Sequence, residues 1–338
     1  MKLLESAEDV SEIAFGFMAS KALFAALHLR LFNCLAEGEL TAAEAATAMD
    51  IHPDRATTLL TALTTLGLVA RSEQGRYRNS PAADAFLVKG AKYDFGDYLR
   101  LQVDRQMYGL LDQIDDAIAD NLPDEAISSY AEWMADPEAA RLYSDSQHAG
   151  SLGPARGLAR AVDLSGARSL LDVGGGTGAF AITLCQANPS LQVTVIDFPN
   201  VAKLGEEYVR KAGLEKRIRF VPGDLLKLKW PQGHDVVLMS YIFSSVPGEK
   251  IPDLIRQAHA VLQPGARLLV HDFMVGPDRH GPKLAALWQF QHTAFNPHAR
   301  SVATDWAATQ IAKAGFVDVK VDEMIPGMTS LAVARKPA

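Results

Sequence analysis

Ser169-Leu170-Leu171-Asp172-Val173-Gly174-Gly175-Gly176-Thr177-Gly178 is the stretch that decides the fold. Leu170, Leu171 and Val173 form a short apolar run suited to a parallel strand buried on both faces, and Ala179-Phe180-Ala181-Ile182-Thr183-Leu184 then reads as a helix start. The glycines between them lack a Cβ, so the backbone can turn tightly and a ligand can come close. The first turn of the following helix offers unpaired N–H groups. This suits a nucleotide or a ligand that bears a carboxylate. Gly174-x-Gly176-x-x-Ala179 also passes as a dinucleotide fingerprint, so the loop alone leaves both readings open.

Two further acids narrow the choice. Val193-Thr194-Val195-Ile196-Asp197 is a second strand, ending in an acid about twenty residues after the glycines, where a ribose diol would be gripped. Arg219-Phe220-Val221-Pro222-Gly223-Asp224 is a third, again ending in an acid. Nicotinamide sites use the first two features and not usually the third, and Asp172 just before the glycines is also unusual for them. The set Asp172, Gly174, Gly176, Gly178, Asp197 and Gly223-Asp224 resembles a class I S-adenosylmethionine (SAM) methyltransferase. The expected fold class is α/β, with a Rossmann-like methyltransferase domain. The bland alternative is an α/β sheet whose strand-end acids are incidental.

At 338 residues, 48% hydrophobic and 22% charged, the chain reads as an ordinary globular protein of two domains. The sequence is read as having no apolar run that approaches the length of a membrane span. Glu5, Glu8, Asp9 and Glu12 stand where a secretory leader would be basic. The expectation is a cytoplasmic enzyme with no membrane contact. Cys34 and Cys185 sit far apart in apolar helical patterns and read as buried thiols of a reducing compartment, with no disulfide. No metal site is expected, because neither Cys-x-x-Cys nor paired-His spacing occurs.

Residues 1–90 read as a winged helix. Ser11 precedes a long apolar pattern from Ile13 to Phe32, richer than one amphipathic stripe needs and suited to a partner surface. Thr41-Ala42-Ala43-Glu44 is a capping box, His52-Pro53-Asp54-Arg55 opens a second helix, and Leu68 to Arg78 forms a hairpin. A winged helix can bind DNA, but this one carries eight Lys/Arg against eleven Asp/Glu, and the whole chain is at −7. Phosphate would be repelled, so dimerisation is the better use and nucleic acid is not an expected partner. Residues 91–167 read as a helical linker that includes Arg100 and Tyr108, is broken at Asn121-Leu122-Pro123-Asp124, and is ended by Gly150-Ser151-Leu152-Gly153-Pro154. Residues 168–338 are the SAM-binding domain.

These features, with Asp197-Phe198-Pro199-Asn200-Val201 and a terminal Ala314-Gly315-Phe316, resemble the plant-type small-molecule O-methyltransferases and their bacterial relatives over essentially the whole chain. The resemblance implies a homodimer through the N-terminal domain and SAM as cofactor. It implies that Asp197 grips the ribose, that Asp224 and Leu225 flank the adenine, that Gly174 to Gly178 surround the methionine part, that Ser240 and Tyr241 complete the cleft, and that Asp172 and Phe198 also belong to the cofactor-binding set.

The departures from the family say more about the substrate. Where those enzymes carry a His that deprotonates the acceptor hydroxyl, this chain has Phe243-Ser244-Ser245-Val246-Pro247-Gly248-Glu249, with Ser244 at the base position. A serine is no base near neutral pH, and general-base catalysis contributes a factor of about 10² to 10⁴. No catalytic residue is therefore assigned with certainty, and an acceptor that loses no proton is expected. A thioether, a neutral amine or an activated carbon would qualify. Tyr143, Phe243, Trp288, Phe290 and Phe295 are candidate aromatic faces for the charge. Arg100, Gln147, His148, Gln291, His292 and Asn296 could hold a carboxylate and a hydroxyl, with Tyr108 beside them. Lys92 to Tyr98 and Tyr143 to Gly150 are similar to bacterial S-methyltransferases of dimethylsulfoniopropionate synthesis, which implies 4-methylthio-2-hydroxybutyrate as acceptor. The alternatives are an O-methyltransferase with His148 or His292 as substitute base, and a SAM-binding transcriptional regulator.

Overall fold

The computed structural model describes residues 3–122, 130–294, 296 and 298–338. The chain divides into two compact units, Met1–Gly109 and Leu110–Ala338. The expected linker is thus shared between them.

The first unit is helical with a small hairpin. Helices α1 (Ala7–Ala14), α2 (Gly16–His28), α3 (Leu31–Ala36), α4 (Ala42–Met49) and α5 (Pro53–Thr65) precede strands β1 (Val69–Arg71) and β2 (Tyr77–Asn79), which pair antiparallel, and α6 (Pro81–Phe86). Leu31, Phe32, Leu60 and Leu63 are buried at its centre. The Thr41/Glu44 capping box forms as expected. The first helix begins earlier than expected, because Ser6 and Asp9 form a capping box of their own ahead of Ser11. A second correction concerns hydropathy. Ala7–His28 is long and apolar enough, by those criteria alone, to cross a membrane, which the acids of its first half obscure in the sequence. Val10, Ile13, Phe15, Phe17 and Met18 along it are exposed. Cys34 is half-buried rather than buried; Cys185 is buried as expected, and both are free.

The second unit opens with α7 (Ile114–Ile118), α8 (Tyr130–Trp133) and the long α9 (Pro137–Ala161). Pro123 and Asp124 of the expected break lie outside the described residues. Gly150 to Pro154 does not end the segment; α9 runs through it to Ala161. Proline and glycine weaken an isolated helix, but Ala155 and Leu158 are fully buried in the core against the sheet, and that burial outweighs the lost hydrogen bond. The sheet then follows as β3 (Ser169–Val173), α10 (Ala179–Ala187), β4 (Gln192–Asp197), α11 (Pro199–Lys211), β5 (Ile218–Pro222), β6 (His234–Ser240), α12 (Ile251–Val261) and β7 (Leu262–Asp272). Helices α13 (Lys283–His292) and α14 (Thr304–Lys313) lead to β8 (Val317–Ile325) and β9 (Thr329–Arg335).

Seven strands lie in the order β5-β4-β3-β6-β7-β9-β8. The first five are parallel, and β9 pairs antiparallel with β7 and β8. The order reverses at β3, and in open sheets of this kind ligands bind outside the carboxyl ends of the strands at such a switch point. The glycine loop stands there. Phe220 of β5 fills the space left by Gly205 of α11, where an added Cβ would lie 2.3 Å from the ring. Gly205→Ala is therefore predicted to lower the melting temperature. Overpacking costs about 1–3 kcal/mol, more than the ~1 kcal/mol that alanine gains over glycine in a helix; thermal unfolding of the full chain checks it.

Candidate active site

The loop after β3 is held open by backbone that only glycine adopts readily. Gly174, Gly176 and Gly178 have φ of +66°, +59° and +80°. A Cβ on Gly174 would lie 2.3 Å from Ile242 Cδ1, whereas one on Gly176 would meet nothing within 4 Å. The loop is thus packed beneath and open above. Asp197, at the end of β4, accepts from the Gly176 amide at 2.7 Å and from the Phe198 amide at 2.8 Å. Burial still pushes its carboxyl up to about 6. Asp172 is fully buried beneath the loop, and neither carboxylate oxygen has a hydrogen-bond partner among the described residues. Desolvation, and then the charge of Asp197, push it up to about 7. A buried carboxylate and a half-buried one beside an open glycine loop fit a cationic ligand that carries a diol, which is the character of SAM.

The remaining strand ends complete the rim. After β5, Asp224 accepts from the Leu226 amide at 2.9 Å and meets Lys227 at 3.3 Å, and Leu225 approaches the glycine loop. At the end of β6, Ser240 Oγ is 2.9 Å from His271 Nδ1, and His271 Nε2 is 2.9 Å from Thr329 Oγ1. Burial lowers His271 to about 3, so it is neutral. Tyr241 has φ +62°, a left-handed conformation that costs an aromatic residue about 1–3 kcal/mol. Its ring packs on His271 and Phe273. Ser244 is buried, and its amide donates to Asp272 Oδ2 at 3.2 Å. Asp272 ends β7, accepts also from the Phe273 amide at 2.8 Å, and is pushed up to about 6 by burial in spite of these bonds. Sequence reasoning passed over Asp272, although Leu268-Leu269-Val270 followed by an acid carries the same signal as β4 and Asp197.

Helices α9 and α13 carry the other polar candidates. His148 Nδ1 is 2.7 Å from Thr177 Oγ1 of the glycine loop, and its ring stacks on Tyr208 of α11 at 3.8 Å. The structure thus joins the polar run of α9 to the cofactor loop. Burial lowers His148 to about 4. Gln147 donates to the Tyr143 hydroxyl at 3.2 Å, and Tyr143 packs against Trp133 and Tyr130. Gln291, His292 and Asn296 are buried. His292 Nδ1 lies 2.9 Å from the Trp288 carbonyl and 2.8 Å from Gln291 Nε2, and burial lowers the ring to about 4. Asn296 Nδ2 has no partner among the described residues. Trp288 stacks on Phe273 at 4.6 Å.

Phe290 is 47% exposed on α13, whereas Phe243 is fully buried core and offers no face to a ligand. Phe295 lies outside the described residues. Arg100 and Tyr108 belong to the first unit, where Arg100 donates to Asp97 at 2.8 Å and the Tyr108 hydroxyl donates to the Phe17 carbonyl at 3.4 Å.

With this geometry in hand, comparison with known proteins is decisive. Residues 112–317 match the O-methyltransferase domain, and residues 11–89 match the O-methyltransferase dimerisation domain. The chain belongs to the O-methyltransferase family. It is a SAM-dependent methyltransferase. The tetracenomycin polyketide synthesis 8-O-methyl transferase TcmO of Streptomyces glaucescens is 30% identical, covering 97% of this chain and 96% of that protein. The N,N-dimethyltransferase OxyT of Streptomyces rimosus is 33% identical, covering 98% and 97%. The fold is that of human N-acetylserotonin methyltransferase in complex with SAM, with a TM-score of 0.85 over 100% of both chains at 23% identity. Relatives of this family thus include proteins named for transfer to oxygen and to nitrogen.

The unpaired state of Asp172 yields a prediction. Its folded pKa of about 7 lies above the usual Asp value of about 3.9, so the cost of holding it charged is fully present above about pH 7 and disappears below about pH 4. Asp172→Asn should therefore melt higher than the wild type in ligand-free protein at pH 8. Thermal unfolding at several pH values should show this gain shrinking as the pH falls towards 4.

Proposed function

We propose that this methyltransferase transfers a methyl group to the thioether sulfur of a small hydroxy acid, 4-methylthio-2-hydroxybutyrate, without a general base. Position 244 carries the reading. A buried serine tied to Asp272 stands where the family has its base, and the imidazoles of His148 and His292 are hydrogen-bonded and held neutral by burial. Bound SAM supplies an electrophilic methyl on a cationic sulfur. The chain's own part is to hold and orient. Asp197 and Phe198 take the ribose end, Asp224 and Leu225 the adenine, and Asp172 with Gly174, Gly176 and Gly178 the methionine part. Ser240 and Tyr241 close the cleft. Gln147, His148, Gln291, His292 and Asn296 hold the acceptor's carboxylate and hydroxyl, and Tyr143 and Trp288 offer aromatic faces to its sulfur. The exposed apolar face of α1 and α2, within the matched dimerisation domain, is the homodimer interface.

A second reading is O-methylation, which the named activities of TcmO and its kin favour. His148 or His292 would then be the base, and the rate would fall as the pH drops through about 4, where these rings become protonated.

Two experiments test the proposal. Calorimetry with S-adenosylhomocysteine should show Asp197→Ala losing most of its affinity; unchanged affinity contradicts the cofactor assignment. Ser244→Ala should keep turnover within about tenfold of wild type, less than a general base contributes. A loss of about a thousandfold in kcat with acceptor affinity intact would show that position 244 does chemistry.

A further inference from the structure

His271 is a fully buried imidazole near the carboxyl end of β7 that the proposed reaction does not use. It stands opposite Ser240 in the pairing of β6 with β7, and Ser240 follows Met239, which pairs with Val173, the last residue before the glycine loop. Three hydrogen bonds meet at this one residue. Its Nδ1 is 2.9 Å from Ser240 Oγ, its Nε2 is 2.9 Å from Thr329 Oγ1, and its carbonyl accepts from the Tyr241 amide at 2.8 Å. The Tyr241 ring packs on the imidazole at 4.6 Å, which helps to hold that residue at φ +62°.

Burial decides which way the hydrogens in this row point. The ring is neutral, so one nitrogen donates and the other accepts. Two arrangements make both bonds. In one, Thr329 donates to Nε2 and the Nδ1 hydrogen goes to Ser240. In the other, Ser240 donates to Nδ1 and the Nε2 hydrogen goes to Thr329. Either way one hydroxyl proton is left over. Thr329 is 1% exposed at the start of β9, and its hydroxyl has no other partner among the described residues, so a spare proton there would be buried without an acceptor. Ser240 is half-buried at the rim of the crevice, where a ligand can take one. The first arrangement therefore holds: Ser240 accepts from the ring and keeps its own proton for the cleft.

We infer that Thr329 and His271 form a positioning relay that fixes the Ser240 hydroxyl as a hydrogen-bond donor to the bound cofactor. The inference rests on the reading above that Ser240 belongs to the cofactor cleft. A serine hydroxyl in water turns freely and serves as donor or acceptor. Here one of its lone pairs is occupied by the Nδ1 hydrogen, so the proton is confined to directions that face away from the imidazole. Ordering the donor before the cofactor arrives removes part of the cost of binding. Thr329 and His271 act through Ser240 and need not touch the ligand themselves.

The test uses the full-length protein with S-adenosylhomocysteine as the probe. Neutron diffraction from a deuterium-exchanged crystal of the complex should show deuterium on His271 Nδ1 and the Thr329 deuteron directed at Nε2. Deuterium on Nε2 instead overturns the relay. In calorimetry, Ser240→Ala should weaken binding about tenfold, the loss of one hydrogen bond. Thr329→Val, of the same shape, should weaken it at least about threefold, and Thr329→Ser should restore it. The double variant should bind within about twofold of Ser240→Ala alone, because both changes act through one hydroxyl. Losses that add, or a Thr329→Val that binds like the wild type, overturn the relay, since a threonine with a merely structural role keeps its effect when the serine hydroxyl is gone. Should Thr329→Val fail to fold, Thr329→Ala takes its place, and the neutron map needs no variant. Unchanged affinity in Ser240→Ala overturns the reading that puts Ser240 in the cleft, and the inference with it.

Discussion

Carboxylates drawn out of water with no cation beside them among the described residues are the constraint on which this structure depends. Asp172, Asp197 and Asp272 stand at the carboxyl ends of three parallel strands, and burial raises the pKa of all three. A fold has no reason of stability to collect such groups, since each costs free energy unless a partner arrives. The parallel sheet makes the arrangement possible. Its strands all present their carboxyl ends to one side, and the reversal of strand order at β3 opens the crevice there. A ligand that brings positive charge into the crevice repays what folding alone leaves unpaid.

The same constraint explains why the strand-end acids and the glycine loop were legible in the sequence. An acid after an apolar strand, or a glycine where φ must be positive, is forced by local geometry and leaves a mark that one chain can show. Asp172, Asp197 and the three glycines are of that kind. The winged-helix order and the Thr41/Glu44 box are also local, and the structure has both. Features that depend on packing at a distance were not readable. Nothing in Gly150 to Pro154 announces that α9 continues, because the reason lies in Ala155 and Leu158 being buried against the sheet. Helical spacing could not tell that Phe290 faces outward, nor that His148 stacks on Tyr208 from another helix. Asp272 is the instructive omission: the signal was present, and the likeness to a family in which position 244 carries the base drew attention away from it.

Ser244 gives the acceptor its distinctive requirement. The relatives named for oxygen and nitrogen transfer show that the fold serves several acceptors. Which one a given chain serves depends on whether a proton must leave and what receives it. In this chain position 244 offers a buried serine, the imidazoles of His148 and His292 are hydrogen-bonded and lowered to about 4 by burial, and the nearby Asp272 carboxylate is occupied by backbone amides. A reaction that releases no proton suits that set.

Proton release is therefore the most direct measurement. With 4-methylthio-2-hydroxybutyrate, which offers both a thioether and a hydroxyl, protons liberated in weakly buffered solution would be counted against S-adenosylhomocysteine formed. Transfer to sulfur predicts no proton per turnover and a product carrying a permanent positive charge. One proton per turnover with a neutral ether as product would contradict the account.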